Sequence, residues 1–175
     1  MTEMETQPLY QVNSNRFLDR TVKKMVRSWI RMEAPRELPW APLKKSLTES
    51  TVALVSSAGL ALKTDQPFDQ NGERENPWWG DPSIRVLPKT ATGSDISLYH
   101  LHMNPKIAER DLNTLLPLQP LLELERSGEI GRSADHHYSY MGYILQPRTL
   151  LEEYVPEMIQ QMKQDQVNIV VLVPG

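Results

Sequence analysis

Residues 167–175 read Val-Asn-Ile-Val-Val-Leu-Val-Pro-Gly, an apolar, β-branched run without a charged side chain. A run of this kind fits a strand covered on both faces, as found in parallel sheets. A second run, Thr51-Val52-Ala53-Leu54-Val55, has the same character and opens into Ser56-Ser57-Ala58-Gly59. Together they constrain the chain to an α/β fold with an open, mainly parallel sheet and flanking helices. Ligands in such sheets gather at the carboxyl ends of the strands. The Ser56–Gly59 loop and the Pro174–Gly175 end are therefore the first places to expect a site.

Parallel strands need helical crossovers. Residues 148–164 supply one, with Leu151, Tyr154, Val155, Met158, Ile159 and Met162 at helical intervals, and Gln164-Asp165-Gln166 turning into the terminal run. Two further strands are expected, Ile84–Leu87 and Ile96–His102, and alternation along the second puts His100 and His102 on one face. Asp111 starts a helix through Leu124, made irregular at first by Pro117 and Pro120. Residues 64–82, rich in Asp, Asn, Gly and Pro, read as a long irregular connection. The polar stretch Ser133–Gly142 reads as a loop.

The N-terminal part has a different texture. Residues 1–13 are polar and aperiodic, and Asn13-Ser14-Asn15 can cap a helix running to Met32. Residues 16–45 carry nine Lys or Arg against three acids, while the whole chain has a net charge of −3. Leu18, Val22, Met25, Val26, Trp29 and Ile30 recur at helical spacing, so the basic residues form the opposite face of an amphipathic helix. That face is either solvated or a membrane or partner surface. Pro35, Pro39 and Pro42 then enforce an extended arm, with Trp40 as its anchor. The division is an N-terminal tail and helix over 1–37 and an α/β domain over 38–175.

No apolar stretch approaches the roughly 18 residues needed to cross a bilayer. The start, Met1-Thr-Glu-Met-Glu-Thr, has no secretory signal character, which makes the cytoplasm the expected compartment. The 175 residues contain no cysteine, so disulfides and thiolate zinc sites are excluded within them. No G-x-G-x-x-G, Walker or G-x-S-x-G pattern is present, and neither nucleotide phosphate binding, serine hydrolysis nor nucleic-acid binding has motif support.

The histidines fall in two clusters, His100/His102 and His136/His137. They could ligate a metal with Asp81 or Asp111, or move protons, with Tyr138 donating to a carboxylate or oxyanion. The alternative is packing, with the histidines capping loop carbonyls. Trp40, Trp78 and Trp79 likewise either line a cationic pocket or pin the arm and the long loop.

Certain motifs recur in a known order. They are Trp40-x-Pro42-Leu43-x-Lys45, Ser50–Val55 with Gly59, Pro67-Phe68-Asp69, Gly80-Asp81 and Arg85. Asp111-x-Asn113, Pro117-Leu118, Leu121, Gly128-Glu129-Ile130-Gly131 and His137-Tyr138-Ser139-Tyr140-Met141-Gly142 follow. This succession resembles the glycine/sarcosine/betaine reductase selenoprotein B family, which includes the D-proline reductase subunit, over roughly residues 38–175.

The resemblance implies an oxidoreductase subunit for dithiol-dependent reductive cleavage of a carbon–nitrogen bond in glycine, sarcosine, betaine or D-proline. Its partners would be a thioredoxin-like or other dithiol donor, further complex subunits and a small amino-acid-type substrate. The family's cofactor chemistry is a selenocysteine or cysteine, with a pyruvoyl group on a separate subunit. That redox residue follows the strand matching Val167–Pro174, so here it is expected after Gly175, and the sheet and chain are expected to be incomplete. A strand left at an open edge invites self-association.

Within the 175 residues no catalytic group is certain. His137 and Tyr138 are the candidates for orienting substrate or shuttling protons, with Ser57, Gly59, Arg85, His100, His102 and Ser139 for binding it. Arg85 would hold a carboxylate through its guanidinium fork. A non-catalytic binding or assembly protein of the same family is the alternative, and a histidine-based metal enzyme a weaker one.

Overall fold

The computed structural model describes residues 24, 27, 28, 41–76, 79–101, 103–106 and 110–175. The tail, most of the amphipathic helix, the arm up to Trp40, and Trp78 and His102 lie outside them. Lys24, Arg27 and Ser28 are helical and exposed, in accord with a basic outer face. Residues 1–41 and 42–175 form two units; the second is the α/β domain. No helix among the described residues is long and apolar enough to cross a membrane.

Strand β1 (Thr51–Ser56) is buried at every position. It is the centre of the sheet because both of its edges are paired. Along one edge it pairs in parallel with β7 (Ile169–Val173), from Val52 opposite Ile169 to Ser56 opposite Val173. Along the other it meets β5 (Arg132–Ser133) and then β6 (His136–Tyr140), both parallel. Backbone donors show the two edges: Arg132 and Ala134 donate to the Ser50 and Val52 carbonyls, whereas Asn168 donates to Thr51. β3 (Ile84–Pro88) closes the far side, antiparallel to β6, with Arg85 opposite Ser139. The expected α/β class and mainly parallel sheet are therefore present.

Pleating divides the core. Val52 and Leu54 join Leu60, Leu87, Leu112, Leu115, Leu116 and helix α2 (Leu118–Ser127) on one face. α1 (Gln70–Glu75) lies in the connection before β3. Ala53, Val55, Ala134 and Tyr138 pack with Met158 and Met162 of α3 (Val155–Gln164) on the other face. α3 is the crossover between β6 and β7. It is preceded by a π-helical turn, Leu150–Tyr154. Pro156, lacking an amide donor, sits in its first turn, and the wider turn upstream accommodates the break in hydrogen bonding.

Two expectations need correction. The strand expected to reach His102 is β4, only Ile96–Leu98. Its partner β2 is just Leu60–Leu62, so the antiparallel ladder ends where Leu60 meets Leu98, and the His100/His102 alternation loses its basis. The polar stretch expected as a loop contains β6, which packs between β1 and β3. Its polarity hid it: three of its five residues, His137, Tyr138 and Ser139, are fully buried.

Candidate functional site at the carboxyl edge

Three parallel strands end together around Ser57. The Ser57 amide donates to the Val173 carbonyl at 3.0 Å, and the Gly175 amide donates to Ser57 Oγ at 2.9 Å. Gly59 donates to the Tyr140 carbonyl at 2.9 Å, and Ala58 bridges to Met141. The approach is too close for side chains: a Cβ on Gly142 would lie 2.7 Å from the Ser57 carbonyl oxygen, and one on Gly175 would lie 2.7 Å from Ala58 Cα. Gly59 also has φ +65°, a conformation that favours glycine.

Buried hydroxyls brace this edge from behind. Ser56 Oγ donates to the Leu115 carbonyl at 2.7 Å and accepts from the Ala58 amide at 3.2 Å. Ser139 Oγ accepts from the Leu60 amide at 2.8 Å. The Tyr99 amide donates to the Gly59 carbonyl at 2.9 Å, which brings the His100 backbone beside the loop. Ser57, Gly59 and Ser139 thus meet at one place as expected from their motifs, with Ser139 behind the surface and only Ser57 partly exposed.

Arg85 lies toward the same end of the sheet, in a different setting. Its guanidinium stacks over Phe68, 4.2 Å from the ring centroid. Nε donates to the Gln66 carbonyl, Nη1 to Ser83 Oγ and the Ile84 carbonyl, and Nη2 to the Pro67 carbonyl. Four of five N–H groups are thereby engaged, leaving one for any carboxylate. Arg85 lines an open depression of 630 Å³ with Asp65, Asp69, Asp81, Ser83 and Tyr154. Asp81 is committed there to the Asp69 and Ser83 amides. A second depression, 460 Å³, is lined by Arg74, Tyr99 and His100 among others. Neither contains Ser57. The strand-end arrangement carries more weight here because hydrogen bonds build it, whereas both depressions are open hollows.

The two catalytic candidates sit on opposite faces of β6. His137 fills a break in the ladder: between β5 and β6 two extra residues intervene, since Thr51 pairs with Arg132 but Val55 with Tyr138. Leu54 N–H, left without a strand carbonyl, donates to His137 Nδ1 at 3.0 Å. Nε2 lies 3.1 Å from Ser133 Oγ. Nδ1 as acceptor fixes the proton on Nε2, making the ring neutral. Burial, reinforced by His136 and Lys89, lowers its pKa to about 4.

Tyr138 points to the α3 side. Its hydroxyl is buried without a hydrogen-bond partner. Burial, then the Asp165 charge, pushes the phenol up to about 12. His136 faces the opposite end of the strand, its Nδ1 2.8 Å from Asp165 Oδ2, while Arg132 Nη2 donates to the Asp165 carbonyl at 2.7 Å.

Among the described residues no group of three or more His, Asp or Glu is placed to hold a metal. Gly142 closes the His137–Gly142 motif singled out in the sequence. Sequence reasoning missed Asp165, to which nothing local pointed.

Residues 10–174 match the family described as glycine/sarcosine/betaine reductase selenoprotein B. The D-proline reductase subunit gamma of Acetoanaerobium sticklandii is 31% identical over 157 residues, which cover 90% of this chain and 62% of that protein. The glycine reductase complex component B subunit gamma of Carboxydothermus hydrogenoformans is 30% identical over 63% of this chain and 25% of its own length. The betaine reductase complex component B subunit beta of Peptoclostridium acidaminophilum is 28% identical over 74% of this chain and 30% of its own. The chain therefore spans less than two thirds of each of these relatives. No solved structure matches it.

Proposed function

The chain belongs to the glycine/sarcosine/betaine reductase selenoprotein B family, and on that premise we propose that it serves as a subunit of a dithiol-dependent reductase complex, presenting substrate at the carboxyl edge around Ser57. The substrate class is glycine, sarcosine, betaine or D-proline. The net reaction breaks one carbon–nitrogen bond. Two electrons from a dithiol and two protons yield a C–H bond and a protonated amine, which departs from glycine, sarcosine or betaine and stays on the opened chain of D-proline, while the dithiol becomes a disulfide.

The observation that carries this reading is the convergence of β1, β6 and β7 on Ser57, with glycines at 59, 142 and 175 leaving backbone alone at the meeting point. That is where an open parallel sheet places its ligand. Ser57 offers the accessible hydroxyl. His137 and Ser139 hold the strands in register behind it, and Tyr138 lies under the adjoining layer. Arg85, with one N–H to spare, and His100 border the edge as substrate-orienting groups.

The 175 residues carry no cysteine, and a serine hydroxyl cannot cycle through a disulfide or selenide-sulfide. On this reading the redox selenocysteine or cysteine is supplied from outside these 175 residues, and the pyruvoyl group by another subunit. A second reading, a non-catalytic binding or assembly member of the family, is compatible with the same 175 residues.

An assay of amine release from glycine, sarcosine and betaine, and of ring opening to the linear amino acid from D-proline, with dithiothreitol and the remaining complex subunits, tests the proposal. The expected result is turnover with the gene extended through any in-frame UGA after codon 175, and none with the 175-residue chain. Turnover by the 175-residue chain alone would overturn the thiol assignment. An unrelated stop with no downstream frame, and no turnover from any preparation, would leave the binding reading in its place.

A further inference from the structure

The sequence motifs Pro67-Phe68-Asp69, Gly80-Asp81 and Arg85 converge on one side chain, Phe68. Arg85 donates to the Gln66 and Pro67 carbonyls and to Ser83 Oγ, and its guanidinium lies 4.2 Å from the Phe68 ring centroid. Asp81 accepts from the Asp69 amide at 2.8 Å and from the Ser83 amide at 2.9 Å. Phe68 is thereby held along the chain from both sides, before it through Arg85 and after it through Asp81. Its ring is buried, with 2% of the residue exposed.

From Phe68 the contacts run on to the carboxyl edge. The ring meets Tyr99 edge-on, with centroids 6.0 Å apart, and packs with Met141. Gln70, whose amide donates to the Phe68 carbonyl, donates from its side chain to the Tyr99 carbonyl. The Tyr99 amide in turn donates to the Gly59 carbonyl at 2.9 Å, one step beyond Leu60 and Leu98, the last pair of the β2–β4 ladder. On its other side Gly59 abuts Met141, whose Sδ a Cβ at position 59 would strike. Gly59 therefore sits between two residues that both pack on Phe68.

Resting on the reading that substrate is presented at the Ser57 edge, we propose that Arg85 is a positioning residue for that edge, acting through Phe68 and Tyr99 on the placement of Gly59. A guanidinium grips a carboxylate best with two parallel N–H bonds, and Arg85 has one N–H left. Its other donors fix the backbone on either side of the strand turn, and a cation over a desolvated ring binds it more firmly than at a wet surface. The part Arg85 plays in orienting substrate is thus indirect. Every link in the path is a contact between described residues, and β3 carries it to the site because Arg85 stands opposite Ser139, whose Oγ holds the Leu60 amide next to Gly59.

Amide exchange followed by NMR tests this with Arg85→Met, Phe68→Leu and the double variant. Each single change is expected to speed exchange of the Tyr99 amide about tenfold, while the Leu54 amide, held by His137, keeps its rate. In the double variant Arg85→Met should add little to Phe68→Leu. Unchanged Tyr99 exchange in Arg85→Met, equal acceleration at Leu54, or full additivity would overturn the proposal. The parent gives a readout that needs no variant: the Arg85 Nε–H, engaged with the Gln66 carbonyl, should exchange slowly, and a rate equal to that of a free guanidinium would also overturn it. With the complex turning over, both single variants should move KM and kcat in the same pattern; a rise in KM confined to Arg85→Met would make Arg85 a direct ligand instead. A parent complex without turnover counts against the proposed function alone, and the amide rates still decide the role of Arg85.

Discussion

β6 and β7 invert one another. β6, His-His-Tyr-Ser-Tyr, is polar in sequence and buried in the fold; β7, Ile-Val-Val-Leu-Val, is apolar and largely exposed. Position explains both. β6 lies between β1 and β3, whereas among the described strands β7 borders β1 alone. A strand's burial follows from how many neighbours it has, and its own hydropathy only sets how the burial is stabilised. In β7 apolar contact would do that work. In β6 it falls to hydrogen bonds that His137 and Ser139 accept from the Leu54 and Leu60 amides of β1 and β2, as buried polar groups mostly require; the Tyr138 hydroxyl is the exception.

If that contrast is right, the polar residues of β6 outweigh the apolar ones of β7 in stability. The largest effect should come from His137→Ala, which orphans the Leu54 amide and opens a cavity; a loss of about 3–4 kcal/mol in urea unfolding is expected. A loss under 1 kcal/mol would break the comparison.

Acid should reproduce much of this effect. His137 binds a proton less readily folded, near pH 4, than unfolded, near 6.5. The unfolded chain is therefore favoured as pH falls through that window, by about 3 kcal/mol over the full range. Unfolding titrations at pH 7 and pH 4 measure it, and His137→Gln should flatten the slope between them.

Ser139→Ala leaves the Leu60 amide without its acceptor and should cost about 1–2 kcal/mol by the same denaturant measurement. The smallest effect is expected from Leu172→Thr, within about 0.5 kcal/mol. A larger penalty at Leu172 than at Ser139 would mean that β7 is covered after all.

The inversion also marks what was legible. β1 and α3 were readable because burial on both faces, or on one helical stripe, writes itself as apolar residues at a fixed period; β3 and β7 were readable from their apolar, β-branched runs, although β7 is largely exposed. β6 was not, since hydrogen-bond satisfaction is a pairwise, long-range property: His137 means little until Leu54, 83 positions away, loses its carbonyl partner. The Ser57–Gly59 loop announced itself by small residues after an apolar strand. The length of β4 depended on β2, and no local signal in Tyr99 or His100 reveals where a partner strand ends.

The two residues inserted between β5 and β6 carry a rule about sequence length. Side chains alternate with period two, so an even insertion leaves inside and outside unchanged: Ser133, His137 and Ser139 stay on one face, and Ala134 and Tyr138 on the other. An odd insertion would exchange them, driving Tyr138 toward α2 and His137 toward α3. Length variation in this segment among relatives should therefore come in steps of two, and a single-residue deletion there should be far more harmful than the loss of both.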